Sequence, residues 1–562
     1  MDRRRFFQRA AAPVLPAPDP AAASEAAPPF EVLPGVFVQD GLTDFRYRAA
    51  RPEADALARR AGGSPLPTSA SLAAYSPSTD APWDARRARH LLRRTGVAAP
   101  PEAVEAVLAM SPGEAVATLL DRVVALGVDP KPSWHFTPPP HWSAPRAERD
   151  AFQDLQWPQM QEVRLRIVRD LCGIDRPFDP LDEAARSFRH RLTVLWHNHF
   201  VTHRESYNLS AFLSRYWRTL QRHALGDLRE FVHAIGLDPA MLIYLNGADN
   251  RAEAPNENYA RELLELFTMG ITGPDGAANY TQQDVTEISR ALTGYGLDYY
   301  GQTDTPLEAV FVPEWHDATD KTILGQTGAW GYDDVVRIVF EERAPQIAHR
   351  IAAMLYRAFV YDVPHLGVVA DLADVLLAND FALRPAIQTL LQSEHFFDSA
   401  SLGARVRSPL EHNCAAYREV GARPKPDDGD DRVDAVWWTM TLQGQNLFEP
   451  PTVAGWPGGR AWLDTSRLSS RWLFDSWMIW WDVAYRDLAA AMPDPWSPHA
   501  LAADLSDALL GQPLTEADRA GLTEILLDGI PDYEWNPLAD GAERRVRGLV
   551  AHLLRLPEFQ LA

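Results

Sequence analysis

Apolar residues recur at intervals of three and four along most of the chain from about residue 83 onward. This spacing is typical of one buried face of an α-helix. In residues 256–269, for example, one stripe carries Tyr259, Leu263, Leu266 and Phe267. The pattern predicts a mainly α fold with a large multi-helix body.

Several predicted helices begin with residues that satisfy the free N–H groups of a first helical turn. Ser111 is followed three residues later by Glu114, which is the spacing of a capping box, and Thr281 begins a segment of the same kind. Asp179 stands before a proline and opens a helix that we expect to run to about His203. These signals place three helix starts independently of the apolar periodicity.

Strand signals are scarce. The best are residues 307–315 and 321–324, with turn-forming residues 316–320 between them. We therefore predict a small β-hairpin inserted into the helical body.

The 562 residues divide into four predicted segments. Residues 1–36 combine an export-signal-like start with an Ala/Pro-rich stretch that is typical of disorder. Residues 37–82 form an irregular lead-in, and residues 83–490 form the main helical domain. Residues 491–562 form a C-terminal helical part that we expect to pack on the main domain.

Charge and composition exclude some functional classes. Lys and Arg number 54 and Asp and Glu number 76, so the net charge is −22, which argues against nucleic acid as a partner. No apolar run reaches about 18 residues, so no transmembrane segment is predicted. Cys172 and Cys414 are too few for a cysteine zinc site, and they form either one bridge or two buried free thiols.

The N-terminus carries Arg3, Arg4, Arg5, Phe6 and Phe7. This arrangement resembles a twin-arginine export signal, which is an address that a receptor recognises. It predicts export to the periplasm or the extracellular space. The alternative is a basic start on a cytoplasmic protein.

Three histidines fall within residues 197–203 and suggest a transition-metal site, because neutral imidazole is a common ligand. On a regular helix His197 and His199 lie roughly 160° apart, so they cannot chelate one ion together. Either the helix breaks near Asn198, or only one of the two binds. His199 and His203 share a face. The alternative is that these histidines form hydrogen bonds within the core.

A second cluster contains Glu257, Arg261, Glu262 and Glu265, with Asn256 as the expected helix cap. One interpretation is a capped helix with ion pairs at i, i+4, each contributing about 0.2–0.5 kcal/mol. The other is that one carboxylate turns inward as a metal ligand or general base, since a charged group in an apolar stripe must be paired or metal-bound.

Two further segments carry polar or irregular chemistry. His316 and Asp317 lie on the predicted hairpin turn and are a candidate ligand or acid–base pair. Residues 450–462 are rich in Gly and Pro, which fixes an irregular backbone. Trp456 and Trp462 form either an exposed ligand-binding wall or a buried loop that packs helices.

These segments, taken in order, resemble the bacterial family named domain of unknown function 1800. The resemblance covers roughly residues 85–562 and rests on five motifs: 195–200, 255–270, 280–294, His316–Asp317 with Lys321, Leu324 and Gly325, and 450–462. It implies a largely helical protein, commonly exported, whose gene often lies beside that of a sulfatase-like protein, a possible partner. It implies no catalytic residue.

Two functional hypotheses follow. The first is a metal-centred enzyme of hydrolytic or oxidative type that binds a divalent ion (Fe, Mn or Zn). Its proposed metal ligands are His197, His199 and His316, and its proposed catalytic residues are Glu257, Glu262, Arg261 and Asp317. The second is a non-catalytic scaffold or partner-binding surface protein, in which the same residues form a hydrogen-bond network that fixes helix packing.

Overall fold

The computed structural model describes residues 70–174, 179–300, 307–423, 431–510, 512 and 514–562. All of these belong to one compact unit that spans residues 60–562. The predicted export signal and Ala/Pro-rich stretch lie outside the described residues. Of the predicted irregular lead-in, residues 70–82 are described, and they contain no helix.

The fold is mainly α, as predicted. The described residues form twenty-two α-helices. In chain order they are Ala85–Thr95 (α1), Pro101–Leu108 (α2), Pro112–Leu126 (α3), Arg146–Cys172 (α4), Pro180–His199 (α5), Arg204–Tyr207 (α6), Ser210–His223 (α7), Leu228–Gly236 (α8), Pro239–Tyr244 (α9), Asn258–Glu262 (α10), Gln282–Ala291 (α11), Tyr332–Glu342 (α12), Ala344–Phe359 (α13), Leu366–Ala378 (α14), Leu383–Gln392 (α15), Pro409–Glu419 (α16), Asp431–Leu442 (α17), Thr465–Met478 (α18), Tyr485–Ala490 (α19), Pro498–Leu510 (α20), Glu516–Leu527 (α21) and Ala542–Arg555 (α22).

The predicted helix starts are confirmed where capping chemistry is strongest. Ser111 and Thr281 each form a complete capping box at the start of α3 and α11. α5 begins at Pro180 but ends at His199, earlier than predicted, because Phe200 leaves the helical conformation. His203 instead precedes α6, so His199 and His203 do not share a helix face.

The predicted helix of residues 256–269 is divided. α10 is continued directly by a π-helix, Leu263–Phe267. Asn256 is not the N-cap, because Glu257 occupies that position without a side-chain bond. Asn256 Oδ1 accepts instead from the N–H of Asn258 at 2.9 Å. Short π-helical turns inside helices occur frequently at functional sites.

The described strands form three two-stranded antiparallel sheets. The pairs are Tyr295–Leu297 (β1) with Ala309–Phe311 (β2), Lys321–Ile323 (β3) with Gln326–Gly328 (β4), and Ala422–Arg423 (β5) with Asp482–Val483 (β6). The predicted pairing of residues 307–315 with 321–324 is wrong. β3 turns back at once onto β4 because Leu324 and Gly325 both have positive φ, the backbone of a tight hairpin turn.

α5 lies at the centre of the helical body, where it packs against α1, α2, α3, α4 and α7. Its Phe188, Leu192 and Trp196 are fully buried. Trp196 stacks on Phe200, with ring centroids 5.7 Å apart. Burying each such side chain contributes about 1.5–3 kcal/mol. The C-terminal end of α5, which carries the histidine motif, is therefore held rigidly in the interior.

The C-terminal residues contact the segment that precedes α16. The N–H of Arg407 donates to the carbonyl of Gln560 at 2.9 Å, and the N–H of Ala562 donates to the carbonyl of Arg405 at 2.8 Å. The predicted domain boundary at residue 490 stays a prediction.

Cys172 and Cys414 are buried free thiols, which is one of the two predicted alternatives. A hydrogen bond with Cys172, followed by burial, raises the pKa of Cys414 well above its ordinary value.

Among the described helices, none is by itself both long and apolar enough to cross a membrane. α2 and α3 satisfy the length and composition criteria together, but they are bent by 118° relative to each other.

Candidate functional site

His197 is completely buried and uses both ring nitrogens. Its Nε2 accepts from the N–H of Phe448 at 3.0 Å. The proton therefore resides on Nδ1, which lies 2.8 Å from the hydroxyl of Tyr216. That hydroxyl donates in turn to the carbonyl of Phe200 at 2.6 Å. In this arrangement His197 has no free lone pair for a metal ion.

Asn198 holds the Gly- and Pro-rich loop. Its Oδ1 accepts from the N–H of Trp456 at 2.7 Å, and its Nδ2 donates to the Trp456 carbonyl at 3.4 Å. Gly455 has φ +82°, and a Cβ there would lie 2.3 Å from Asn198 Oδ1. Only glycine fits this close approach. The first and fifth motifs are thus bound together directly.

Trp456 and Trp462 are buried, with 5% and 4% of their surface exposed. The Trp456 ring packs against His197 at a centroid distance of 5.4 Å. The exposed-wall interpretation of residues 450–462 is therefore wrong, and the loop packs against helices.

His199 joins α5 to the π-helix. Its Nε2 donates to the carbonyl of Phe267 at 3.1 Å, which leaves Nδ1 with a lone pair. His316 is held similarly, because its Nδ1 donates to the Thr293 carbonyl at 2.9 Å and leaves Nε2 as an acceptor. Histidines that bind metals are commonly oriented by such a carbonyl bond.

Asp317 anchors an arginine of α11. Arg290 Nε donates to Asp317 Oδ2 at 2.8 Å, and Arg290 Nη1 donates to Glu287 Oε2 at 2.7 Å. Burial raises the pKa of Asp317, but hydrogen bonds from Thr319 and Arg290 outweigh it and lower that pKa to about 2. Lys321 donates to the backbone carbonyl of Thr319 at 2.9 Å. The third and fourth motifs thus form one network.

Glu257 is saturated with hydrogen bonds. Its carboxylate accepts hydrogen bonds from the side chains of Gln282 at 2.9 Å, Thr286 at 3.0 Å and Arg261 at 3.0 Å. The bonds from Gln282 and Thr286 lower its pKa. Arg261 also approaches Glu265 at 3.6 Å. The ion-paired helix face that the sequence predicted is present here.

Glu262 differs from its neighbours. It is partly buried, and its carboxylate has no hydrogen bond or ion pair with any described residue. Burial, and then the nearby charge of Glu265, raise its pKa. Glu265 itself accepts a short bond from the Tyr280 hydroxyl at 2.6 Å. An unpaired carboxylate therefore lies at the junction of α10 and the π-helix.

The family model described as Protein of unknown function (DUF1800) matches residues 90–561. The chain belongs to this family. No curated protein and no solved structure matches the chain.

The structure joins the predicted site residues of this DUF1800 member into separate groups. Glu257, Arg261 and Glu262 lie together around α10, while His316 and Asp317 lie with Thr293 and Arg290 at the far end of α11. His197 and His199 bond to two other segments. Among the described residues, the predicted ligands do not form a set of three groups within reach of one ion.

One such set does occur among the described residues, and sequence reasoning did not detect it. Carboxylate oxygens of Asp129 and Asp170 and a ring nitrogen of His190 all lie within 4.8 Å of one another, and all three residues are buried. They come from three distant segments, so no spacing could reveal them.

An arginine already occupies the centre of this set. Arg189 Nη2 bonds to Asp129 Oδ1 and lies 3.9 Å from Asp170 Oδ2, while His190 Nε2 bonds to Asp170 at 2.9 Å. Gln221 donates to the second Asp129 oxygen at 2.8 Å. Arg189 and Gln221 bind Asp129, and His190 binds Asp170, so the set is better described as a buried polar network that joins α4, α5 and α7.

An open groove of about 820 Å³ lies between α8 and α12. Its walls carry mixed charges and include the His233–Asp333 pair, whose nearest atoms are 2.8 Å apart. None of the seven predicted site residues lines it. The groove and the Glu262 region are therefore separate candidates for ligand binding, and only the second contains an unpaired, partly buried acid.

Proposed function

We propose that this protein is an enzyme of hydrolytic type in which Glu262 transfers protons. The observation that carries the proposal is the unpaired state of the Glu262 carboxylate within a set of otherwise hydrogen-bonded motif residues. A partly buried acid with a raised pKa holds its proton closer to neutral pH, as a general acid requires. The neighbouring π-helix supports the same assignment.

The other predicted catalytic residues have different roles in this proposal. Both oxygens of Glu257 are saturated by donors, so Glu257 orients Arg261 and does not itself exchange protons. Asp317 fixes Arg290 in the same way. Arg261 is half-exposed and is placed to donate to a substrate oxygen beside Glu262.

The charge of the region restricts its substrates. With Glu262 protonated, as a general acid must be, Glu257 and Glu265 carry two negative charges and Arg261 carries one positive charge, so the local net charge is −1. This negative charge would repel an anionic group on a substrate. Uncharged esters or glycosides are therefore the preferred substrate class, and phosphate or sulfate esters are disfavoured.

A metal ion (Fe, Mn or Zn) stays part of the proposal only through two residues. His199 Nδ1 and His316 Nε2 keep a lone pair, whereas His197 keeps none. If one ion is bound by either histidine, it would polarise a substrate oxygen or lower the pKa of water.

A hydrolysis screen tests the proposal. The purified chain is assayed with p-nitrophenyl esters and glycosides, and with p-nitrophenyl phosphate and sulfate as anionic comparators. Metal content is measured on the same sample. Hydrolysis of a neutral substrate that is lost in Glu262→Gln supports the proposal. Hydrolysis that survives in this variant, or no hydrolysis of any neutral substrate, contradicts it.

A second candidate function is partner binding, and one surface favours it. Trp438 and Leu442 of α17 and Leu473 and Trp477 of α18 are each about two-fifths exposed, and the two helices pack against each other. The rings of Trp438 and Trp477 stack, with centroids 5.9 Å apart. Single exposed apolar residues are ordinary, but a contiguous aromatic surface is typical of a protein interface.

By family resemblance, the partner we propose for this tryptophan surface is the sulfatase-like protein encoded nearby. We expect the two purified proteins to sediment as one complex, and Trp438→Ser with Trp477→Ser to abolish it. Trp142→Ser is the matched control, since Trp142 is 69% exposed and lies elsewhere in the sequence. Absence of a complex with the unchanged chain refutes this candidate.

We also propose that the protein is exported. The support is the run of Arg3, Arg4 and Arg5 before Phe6 and Phe7. Cell fractionation of the tagged full chain is expected to place it outside the cytoplasm, and replacing the three arginines by lysine is expected to retain it inside. Equal distribution of both forms would show that these residues are no export signal.

A further inference from the structure

Three arginines surround one buried carboxylate in the interior. Arg94 of α1, Arg191 of α5 and Arg405 all interact electrostatically around Glu411 of α16. Their side chains are at most 10% exposed, and that of Glu411 is 2% exposed. We call this group the arginine cluster.

Glu411 is fully used by two of the three arginines. Its Oε1 accepts a hydrogen bond from Arg405 Nη2 and forms an ion pair with Arg191, whose Nε lies 2.8 Å away. Its Oε2 receives the N–H of Ser408 at 2.7 Å. Because Arg191 and Arg405 take this carboxylate, it forms no bond with Arg94.

Arg94 is completely buried and mostly without partners. Its Nη2 donates to the carbonyl of Ser401 at 2.8 Å. Its Nε and Nη1 have no hydrogen-bond acceptor in the described part of the chain. A second acid, Asp362, also acts electrostatically on Arg94, but it is only partly buried and forms no hydrogen bond with Arg94.

A second buried guanidinium with unpartnered nitrogens lies shortly before Glu411 in the sequence. Arg407 is 0% exposed, and none of its three side-chain nitrogens has a hydrogen-bond acceptor. Its nearest carboxylate oxygen, on Glu419, is 3.8 Å away. One face of the group covers the Phe559 ring at 4.5 Å. Glu411 acts electrostatically on Arg407 as well as on Arg94.

Positive charge therefore exceeds negative charge in this interior. Together with Arg407 and with Arg93, which pairs with Glu419 at 2.7 Å, the arginine cluster holds five guanidinium groups. Glu411, Glu419 and Asp362 supply three carboxylates, which leaves an excess of two positive charges. Burying an unpaired ion is costly, and arginine does not release its proton in proteins. Burial and the neighbouring Arg405 lower the pKa of Arg94, because both disfavour its charged form.

We propose that the arginine cluster binds a small inorganic anion at the free edge of Arg94. Guanidinium edges match the oxygens of phosphate and sulfate in a bidentate manner. The two bidentate edges of Arg94 are Nε with Nη2 and Nη1 with Nη2. The Ser401 carbonyl takes one hydrogen of Nη2, and Nε and Nη1 are unpartnered, so one of the two edges keeps both of its hydrogens free. This anion site is independent of the Glu262 proposal, since the two share no residue.

The test is thermal unfolding of the full chain in buffer free of phosphate, sulfate and chloride, followed by titration with each anion. We expect the Tm to rise with the logarithm of anion concentration, because the anion binds only the folded state. The general stabilisation that sulfate and phosphate give to any protein is subtracted with Arg94→Met, in which the site-specific part should vanish.

Two further variants keep the test decisive. Arg146→Met is the matched control, because Arg146 is 86% exposed, and its anion dependence should equal that of the unchanged chain. Arg94→Lys keeps the charge but loses the edge, so its anion dependence should weaken even if Arg94→Met does not fold. Ion chromatography of the desalted, denatured protein should also detect released anion. Equal anion dependence in all variants that fold, with no released anion, overturns the proposal.

Discussion

Replacing Glu262 by glutamine is expected to lower kcat by about 10²–10⁴-fold on any neutral substrate that the protein hydrolyses, because general acid–base groups contribute rate factors of this size. Glutamine keeps the shape of the side chain but cannot exchange a proton. Since Glu262 forms no hydrogen bond or ion pair with the described residues, its replacement by an amide of the same shape breaks no such bond. The unfolding transition should therefore be unchanged while activity is lost.

Steady-state kinetics with two controls tests this expectation. Glu205→Gln removes an acid whose side chain is 69% exposed and should leave kcat unchanged. Glu257→Gln disturbs the orientation of Arg261 and should raise KM more than it lowers kcat. If Glu262→Gln and Glu205→Gln have equal activity, Glu262 is not the proton-transfer group.

Replacing His197 by alanine is expected to lower the free energy of unfolding by about 3–5 kcal/mol. The change leaves a cavity at a site with no exposed surface, and such cavities cost several kcal/mol. It also leaves the N–H of Phe448 buried without an acceptor, at a further cost of about 1–3 kcal/mol before relaxation. His197 thus stabilises the contact between α5 and the loop before residue 450.

Urea unfolding at pH 7 measures this loss. His499→Ala is the control, because that side chain is 64% exposed and its ion pair with Asp532 should contribute little. A His197→Ala loss below about 1 kcal/mol would show that the histidine has no structural role and would return it to the list of candidate ligands.

The same histidine should make stability depend on pH. Burial, and then the charge of Arg164, lower the pKa of His197 from 6.5 to about 3, and burial with Arg350 lowers that of His199 equally. The unfolded chain therefore binds protons that the folded chain does not. Stability is complete above about pH 6.5 and is lost as pH falls toward 3. His197→Ala should reduce this acid slope, and an unchanged slope would contradict the assignment.

Local features of the fold were predictable because they depend on neighbours in sequence. The capping boxes at Ser111 and Thr281 are closed within four residues, and both formed as predicted. The strand pairing was not predictable, because β2 pairs with β1, and no short-range sequence pattern indicates which strand is the partner. For the tight turn at Leu324 and Gly325, the only signal in the sequence was the glycine itself.

The candidate site divides in the same way. The sequence placed Glu257, Arg261 and Glu262 on neighbouring helical positions, and they do lie together. It could not say that Glu257 is saturated by Gln282 and Thr286 while Glu262 is left unpaired, since those donors come from α11.

The amino-acid order alone therefore determined the helical class, the helix starts and which polar residues are candidates for chemistry. The tertiary structure decided which of them keep a free lone pair or an open carboxylate. The lone pair of His197 is used by the N–H of Phe448, which is 251 residues away in the sequence. Two side-chain nitrogens of Arg94 have no hydrogen-bond acceptor in the described part of the chain. The reason is physical: helix formation is governed by contacts within a turn, whereas the satisfaction of a buried polar group depends on whichever segments the packed core brings against it.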